Sequence, residues 1–97
     1  MMKGILIVYA PAIESEILCG LEAVGQKTYT KFTNLQGVGG HSEPHLDTQV
    51  WPGTNTALFI VTDIKTKDLI MALIKKLKQE YLEDGIKAFV MPVEEEI

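Results

Sequence analysis

Arginine is missing from this 97-residue chain: all nine of its basic side chains are lysines. The planar fork that grips phosphate or carboxylate through two parallel hydrogen bonds is therefore unavailable, and an anion site must be built from lysine and backbone N–H groups. Basic charge is scarce overall. A formal net charge of −4 excludes the basic face of a general nucleic-acid binder. Cysteine is nearly absent as well. Cys19 alone cannot close an intrachain disulfide, and its place in a helical stretch predicts a small core residue, not a reactive thiol. No apolar run approaches the roughly 18 residues of a membrane-spanning helix, so direct membrane insertion is not expected. The short apolar run after Lys3 ends at Pro11 without a small-residue cleavage pattern, a poor signal peptide, and a cytoplasmic location follows as the expectation. No serine or cysteine stands beside a convincing base and orienting acid, so the chain is not expected to be an enzyme.

What is present suits one domain over residues 1–97. Residues 3–10 carry an almost continuous apolar run, Ile5 to Tyr9, which predicts a central strand buried on both faces. Pro11 suits the first turn of a helix. Ile13, Ile17, Leu18, Leu21 and Val24 recur at helical spacing, with Glu14, Glu16 and Glu22 on the surface and Gly25 as the stop. Gly20 weakens this helix by about 1 kcal/mol relative to alanine, which close approach to a neighbour would justify. Residues 29–35 mix apolar and polar side chains, as a second strand near a sheet edge would. A third strand runs from about Thr56 through Ala57, Leu58, Phe59, Ile60 and Val61. Thr66 is the expected cap of a second helix, with Asp68 in its first turn and Leu69, Ile70, Leu73, Ile74 and Leu77 as its buried stripe. Lys75, Lys76 and Lys78 read as a solvated face. Asp84-Gly85 ends the helix, and residues 86–93 form the last strand before the acidic Glu94-Glu95-Glu96.

The order β-α-β-β-α-β predicts an α+β, ferredoxin-like fold: a four-stranded antiparallel sheet with two helices on one face. Strands one and three pair at its centre. The opposite face is left bare, and its apolar residues would form a patch that homo-oligomerisation covers.

Between strands two and three lies the most unusual segment. It runs Gly37-Val38-Gly39-Gly40-His41-Ser42-Glu43-Pro44-His45-Leu46-Asp47 and ends at Trp51-Pro52-Gly53-Thr54-Asn55. Both histidines of the chain fall here. Long loops in small domains are often functional. Imidazole and carboxylate are ligands for zinc, copper or nickel, so His41, Glu43, His45 and Asp47 are candidate metal ligands. Gly37, Gly39 and Gly40 offer backbone N–H groups to an anion. The glycines do not open a helix, so neither a Rossmann nor a P-loop reading applies. Trp51 anchors the loop or stacks on a ring.

Two further features carry a family resemblance. The segment entering the loop, Leu35-Gln36-Gly37-Val38-Gly39 and then Gly40-His41-Ser42-Glu43, is similar to the Gly-Phe-Gly turn and later Gly-His-Thr-Glu of PII signalling proteins. Asp84-Gly85-Ile86-Lys87-Ala88-Phe89-Val90 looks like their Gly-Asp-Gly-Lys-Ile-Phe-Val segment. With the shared element order, the chain resembles a divergent member of the nitrogen regulatory PII superfamily. That resemblance implies a homotrimer with small-effector sites, for an adenine nucleotide or another anion, in clefts between subunits. It implies that loop 37–55 corresponds to the T-loop and acts on a target protein, a transporter or an enzyme. Gly37 and Gly39 would then be loop-base glycines, and Gly85 and Lys87 remnants of the phosphate-binding B-loop. Two departures stand out. One residue separates Gly85 from Lys87, where the family has them adjacent, and the loop lacks the tyrosine that is uridylylated in some members. The alternative expectation is a transition-metal-binding or metal-responsive protein of the same fold, using the loop histidines.

Overall fold

The computed structural model describes residues 1–37 and 54–97. The first strand, β1 (Met2–Tyr9), pairs on both sides and is central, but the expected burial on both faces is not met within one chain: Ile5, Ile7 and Tyr9 are buried on one face, whereas Leu6 and Val8 are half-buried on the other. After it come a 3-10 turn (Pro11–Ile13), α1 (Glu14–Ala23), β2 (Thr30–Leu35), β3 (Asn55–Asp63), α2 (Ile64–Glu80) and β4 (Ile86–Pro92). The sheet order is β2-β3-β1-β4, and every pairing is antiparallel. This is the expected ferredoxin-like arrangement. The apolar strands β1 and β3 lie side by side at the centre, and the mixed β2 lies at an edge, exposed along its whole length.

One face of the sheet is sealed by both helices. Ile5, Ile7 and Tyr9 of β1 and Leu58 and Ile60 of β3 pack there against Ile13, Ile17 and Leu21 before and within α1 and Ile70, Ile74 and Leu77 of α2. The period of two in the strands and of about 3.6 in the helices converge on this single core. Alternate positions point to the other face. A row across it runs Phe89, Leu6, Phe59 and Thr30, from one edge to the other. Gly4 lies on the same face, where a Cβ would stand 3.1 Å from the Phe59 ring, so the missing side chain lets that ring lie across β1. Phe89 is 50% exposed and Phe32 45%. The bare apolar face expected from the topology is present in the folded chain.

The turn after α1 is closed by a Schellman motif. Gln26 N–H donates to the Leu21 carbonyl at 2.9 Å, and Gly25 N–H to the Glu22 carbonyl at 3.0 Å. Gly25 takes φ +88°, the left-handed conformation that costs a side-chain-bearing residue about 1 kcal/mol. Gly20 is the close approach that its helical position suggested: a Cβ there would meet Leu73 Cδ1 of α2 at 2.5 Å.

Three expectations need correction. Cys19 is exposed, not a core residue, because Ile17 and Leu21 take the buried face of α1. The cap of α2 is Asp63, not Thr66. The Asp63 carboxylate accepts from the Thr66 N–H at 2.7 Å, which starts the helix earlier and leaves Asp68 outside its first turn. Leu69 is 47% exposed, while Ile70, Ile74 and Leu77 form the buried stripe. The strand β3 is also longer than the sequence pattern suggested, since ladder pairing of Asp63 with Met2 extends past its apolar run, while β1 begins and ends one residue earlier than expected.

Candidate functional site

The antiparallel registers bring four chain segments to one end of the sheet. Tyr9, the last residue of β1, lies opposite Thr56 of β3 and Ile86 of β4, and Leu35 at the end of β2 lies opposite Asn55. Loop 37–55 and the α2–β4 turn therefore emerge at the same end. Between Phe32 and Leu35 the ladder slips: Thr33 and Asn34 oppose the single residue Thr56. This is a β-bulge, which bends the strand and re-aims the chain that follows. Asn34 carries the left-handed turn, φ 60°, a conformation that asparagine tolerates better than most residues. The entry to the loop is set by this bulge.

Gly37, Gly85 and Lys87 all lie at this end, and all are exposed. They do not meet within one chain. Gly37 follows the edge strand β2, whereas Gly85 and Lys87 belong to β4 and the turn before it at the opposite edge, three strand spacings or about 14 Å away. A Cβ at Gly37 or Gly85 would meet nothing within 4 Å. Lys87 lies opposite Val8 and alternates with Ile86 and Ala88 of the core side, so its side chain is on the open sheet face. Gly39, Gly40, His41, Glu43, His45, Asp47 and Trp51 lie outside the described residues. Among the described residues, no group of three or more histidine, cysteine, aspartate or glutamate side chains could hold a metal ion.

A polar chain the sequence did not reveal ties this end together. The buried Tyr9 hydroxyl donates to Glu14 Oε1 at 2.7 Å, and Lys31 Nζ donates to Glu14 Oε2 at 2.8 Å. The carboxylate at the start of α1 so links the end of β1 to the exposed edge strand. The hydrogen bond from Lys31, then that from Tyr9, holds the Glu14 carboxyl below its usual range. Burial, and then the bond to Glu14, pushes the Tyr9 phenol up. The two shifts have opposite linkage. A lowered carboxyl stabilises the fold above its ordinary value of 4.5 and loses that contribution as pH falls below it. A raised phenol contributes below its ordinary value of 10.0 and loses the contribution as pH rises beyond it. Glu14→Gln is expected to cost about 1 kcal/mol near neutral pH. In thermal melts the gap between wild type and variant should close as pH falls below 4.5. A gap that stays constant with pH would mean the carboxylate charge contributes nothing.

The family model for "Nitrogen regulatory protein P-II" matches residues 2–97. The chain belongs to the P-II family. Solved structures show the same fold for this P-II chain. It superposes with a TM-score of 0.66 on CPII, a nitrogen regulatory PII-like protein from Thiomonas intermedia K12, at 17% identity over 99% of this chain and 96% of that one. That CPII structure is bound to ADP, AMP and bicarbonate. A second CPII structure, bound to ADP and bicarbonate, gives 0.67 at 19% identity over 95% and 87% of the two chains. A putative PII-like signalling protein from Thermus thermophilus gives 0.62 at 21% identity over 93% and 84%. No curated protein matches the chain in sequence. Among the described residues of this P-II chain, no helix is long and apolar enough to cross a membrane.

Proposed function

We propose that this P-II chain is a trimeric regulator that binds an adenine nucleotide or a related anion in the clefts between subunits and acts on a partner protein through loop 37–55. The observation that carries the reading is the placement of the loop exit and the α2–β4 turn at one end of a sheet whose other face is apolar and bare. Packing three such faces together buries Phe32, Phe59 and Phe89 and sets the edge strands of neighbouring chains side by side. A cleft formed there spans the distance between Gly37 and Gly85 that one chain leaves open. Neither glycine is required by the chain's own packing. Close approach of a ligand to the backbone gives both a reason to lack a side chain. The nucleotides and bicarbonate in the CPII structures favour this ligand class. Regulation then requires that the ligand prefer one state of the loop, because equal affinity for both states shifts nothing. We assign it no catalytic step.

The test is a thermal-shift series on metal-stripped protein with ADP, AMP, bicarbonate, zinc, copper and nickel. ADP or AMP at about one hundred times its dissociation constant adds roughly 2.7 kcal/mol and raises Tm by several degrees. Gly37→Val and Lys87→Met are expected to reduce that shift by at least half while leaving the unliganded Tm within about 2 °C, since neither residue belongs to the helix-side core. A flat response to every nucleotide would overturn the reading. A zinc, copper or nickel shift that disappears in the double variant His41→Ala, His45→Ala would replace it with metal sensing.

A further inference from the structure

Strand β2 is fastened to the rest of the molecule in few ways. All six of its residues are exposed, and none joins the helix-side core. It lies at a sheet edge and pairs with β3 alone. The register holds at Thr30, Lys31 and Phe32, slips across Thr33 and Asn34 and resumes at Leu35. A segment with little buried apolar area and a short, interrupted ladder opens at a lower free energy than the core beside it. One side chain resists that opening. Lys31 lies opposite Leu58, a core residue, and so stands on the face of the sheet that carries the helices. Its bond to Glu14 is, among the described residues, the only side-chain hydrogen bond that joins β2 to an element other than β3. Glu14 is pinned from the other direction as well. Tyr9 is 1% exposed, and its hydroxyl donates to Oε1 of the same carboxylate whose Oε2 accepts from Lys31. The Glu14 backbone is held by α1 and by the Pro11–Ile13 turn before it. The carboxylate therefore connects a fixed side, the core, to a strand that the core does not hold. Loss of the Lys31 bond leaves Glu14 in place on Tyr9. Loss of the Tyr9 bond frees the carboxylate that Lys31 needs.

We propose that β2 is a strap that releases from β3 as one unit, and that Glu14, anchored by the Tyr9 hydroxyl, is its latch. Release carries with it the bulge at Thr33 and Asn34 and the residues that follow, Gln36 and Gly37. The latch thereby sets how often the entry to loop 37–55 leaves the sheet. The device is a property of the unliganded chain and stands or falls without the nucleotide reading above.

Amide hydrogen exchange, followed residue by residue by NMR on the unliganded protein with and without subdenaturing urea, tests both parts. The β2 amides bonded to β3 are expected to exchange at least about tenfold faster than the slowest amides of β1, with little dependence on urea, as a unit that opens below global unfolding does. Lys31→Met should speed them at least about threefold, while Lys31→Arg, which keeps the charge, stays within about twofold of wild type. Tyr9→Phe supplies the readout that a merely local role would not move, because the phenol acts on β2 through Glu14. It should speed β2 exchange at least about twofold in wild type and leave it unchanged in the Lys31→Met background. Exchange of β2 in step with the slowest β1 amides overturns the strap. A change of less than about twofold in Lys31→Met removes the latch. A Tyr9→Phe effect that is absent from wild type, or of equal size in both backgrounds, removes the anchor.

Discussion

In the trimer proposed above, Phe89→Asp is expected to convert three assembled chains to one in sedimentation velocity, with the far-ultraviolet circular dichroism unchanged. The substitution lies on the sheet face away from the helices, and Phe89 is 50% exposed in the single chain. The helix-side core, from Ile5 to Ile86, does not contact it through that face. Folding of one chain therefore loses little. Assembly loses a great deal. A packed face would remove the ring from water, and a fully buried phenylalanine is worth about 1.5–3 kcal/mol by transfer. An aspartate in its place adds the cost of desolvating an unpaired charge, several kcal/mol in each subunit. The proposed three-fold symmetry would repeat the penalty three times in one assembly. Thr30→Asp, in the same row but on the opposite edge strand, is a milder comparison because threonine contributes less apolar area. A trimer that survives Phe89→Asp with unaltered dissociation would show that the chains associate through another surface.

The features of the sequence that predicted this geometry are those in which one period dominates. Ile5 to Tyr9 is apolar at both parities, as suits a central strand, and β1 is central, although only one of its faces is buried within the chain. Thr30, Lys31 and Thr33 interrupt β2, and it is an edge. Gly25 and Gly20 were legible because glycine in a helical pattern needs a conformational or steric reason, and each has one. Elsewhere two residues competed on equal local terms. Asp63 and Thr66 are both good N-caps, and the apolar stripe of α2 begins too late to choose between them. Leu69 and Ile70 are adjacent and equally apolar. In the folded chain Ile70 lies on the face of α2 turned to the core, with Ile74 and Leu77, and Leu69 does not.

For the candidate site the sequence offered loop glycines and a B-loop-like segment, and it was illegible wherever tertiary contact creates the chemistry. Glu14 reads as one surface carboxylate among several. Its role arises because Lys31, seventeen residues on, is returned to it by strand pairing, while Tyr9 reaches it from the buried side. Lys31 reads as one polar residue among several in β2. What distinguishes it is its place opposite Leu58, which puts it on the helix side of the sheet. Such parity depends on register, and register is a property of the folded sheet.

The contact between the helices gives the second large effect. Gly20→Val is expected to destabilise the protein by about 2–3 kcal/mol, and combining it with Leu73→Ala should recover at least about 1 kcal/mol of that loss in urea denaturation. A Cβ on residue 20 would stand 2.5 Å from Leu73 Cδ1, 2.7 Å from Cδ2 and 3.1 Å from Cγ, so the whole isobutyl group is in the way. Gly20→Ala is the informative intermediate. Alanine gains about 1 kcal/mol of helix propensity, and Leu73 is only half-buried, so it can turn outward to make room. These opposing terms should leave Gly20→Ala within about 1 kcal/mol of wild type. Valine adds two methyl groups and a β-branched side chain that the helix disfavours, and outward rotation of Leu73 no longer suffices. The helices must then separate, which opens the layer formed by Ile17, Leu21, Ile70 and Ile74. Leu73→Ala alone removes a half-buried side chain and should cost about 1–2 kcal/mol. The cycle isolates the steric term, because the cavity left by Leu73 is the space that the introduced isopropyl group would fill. Strict additivity of the two substitutions would mean that residue 20 destabilises the helix locally and that the approach of α1 to α2 does not depend on its glycine.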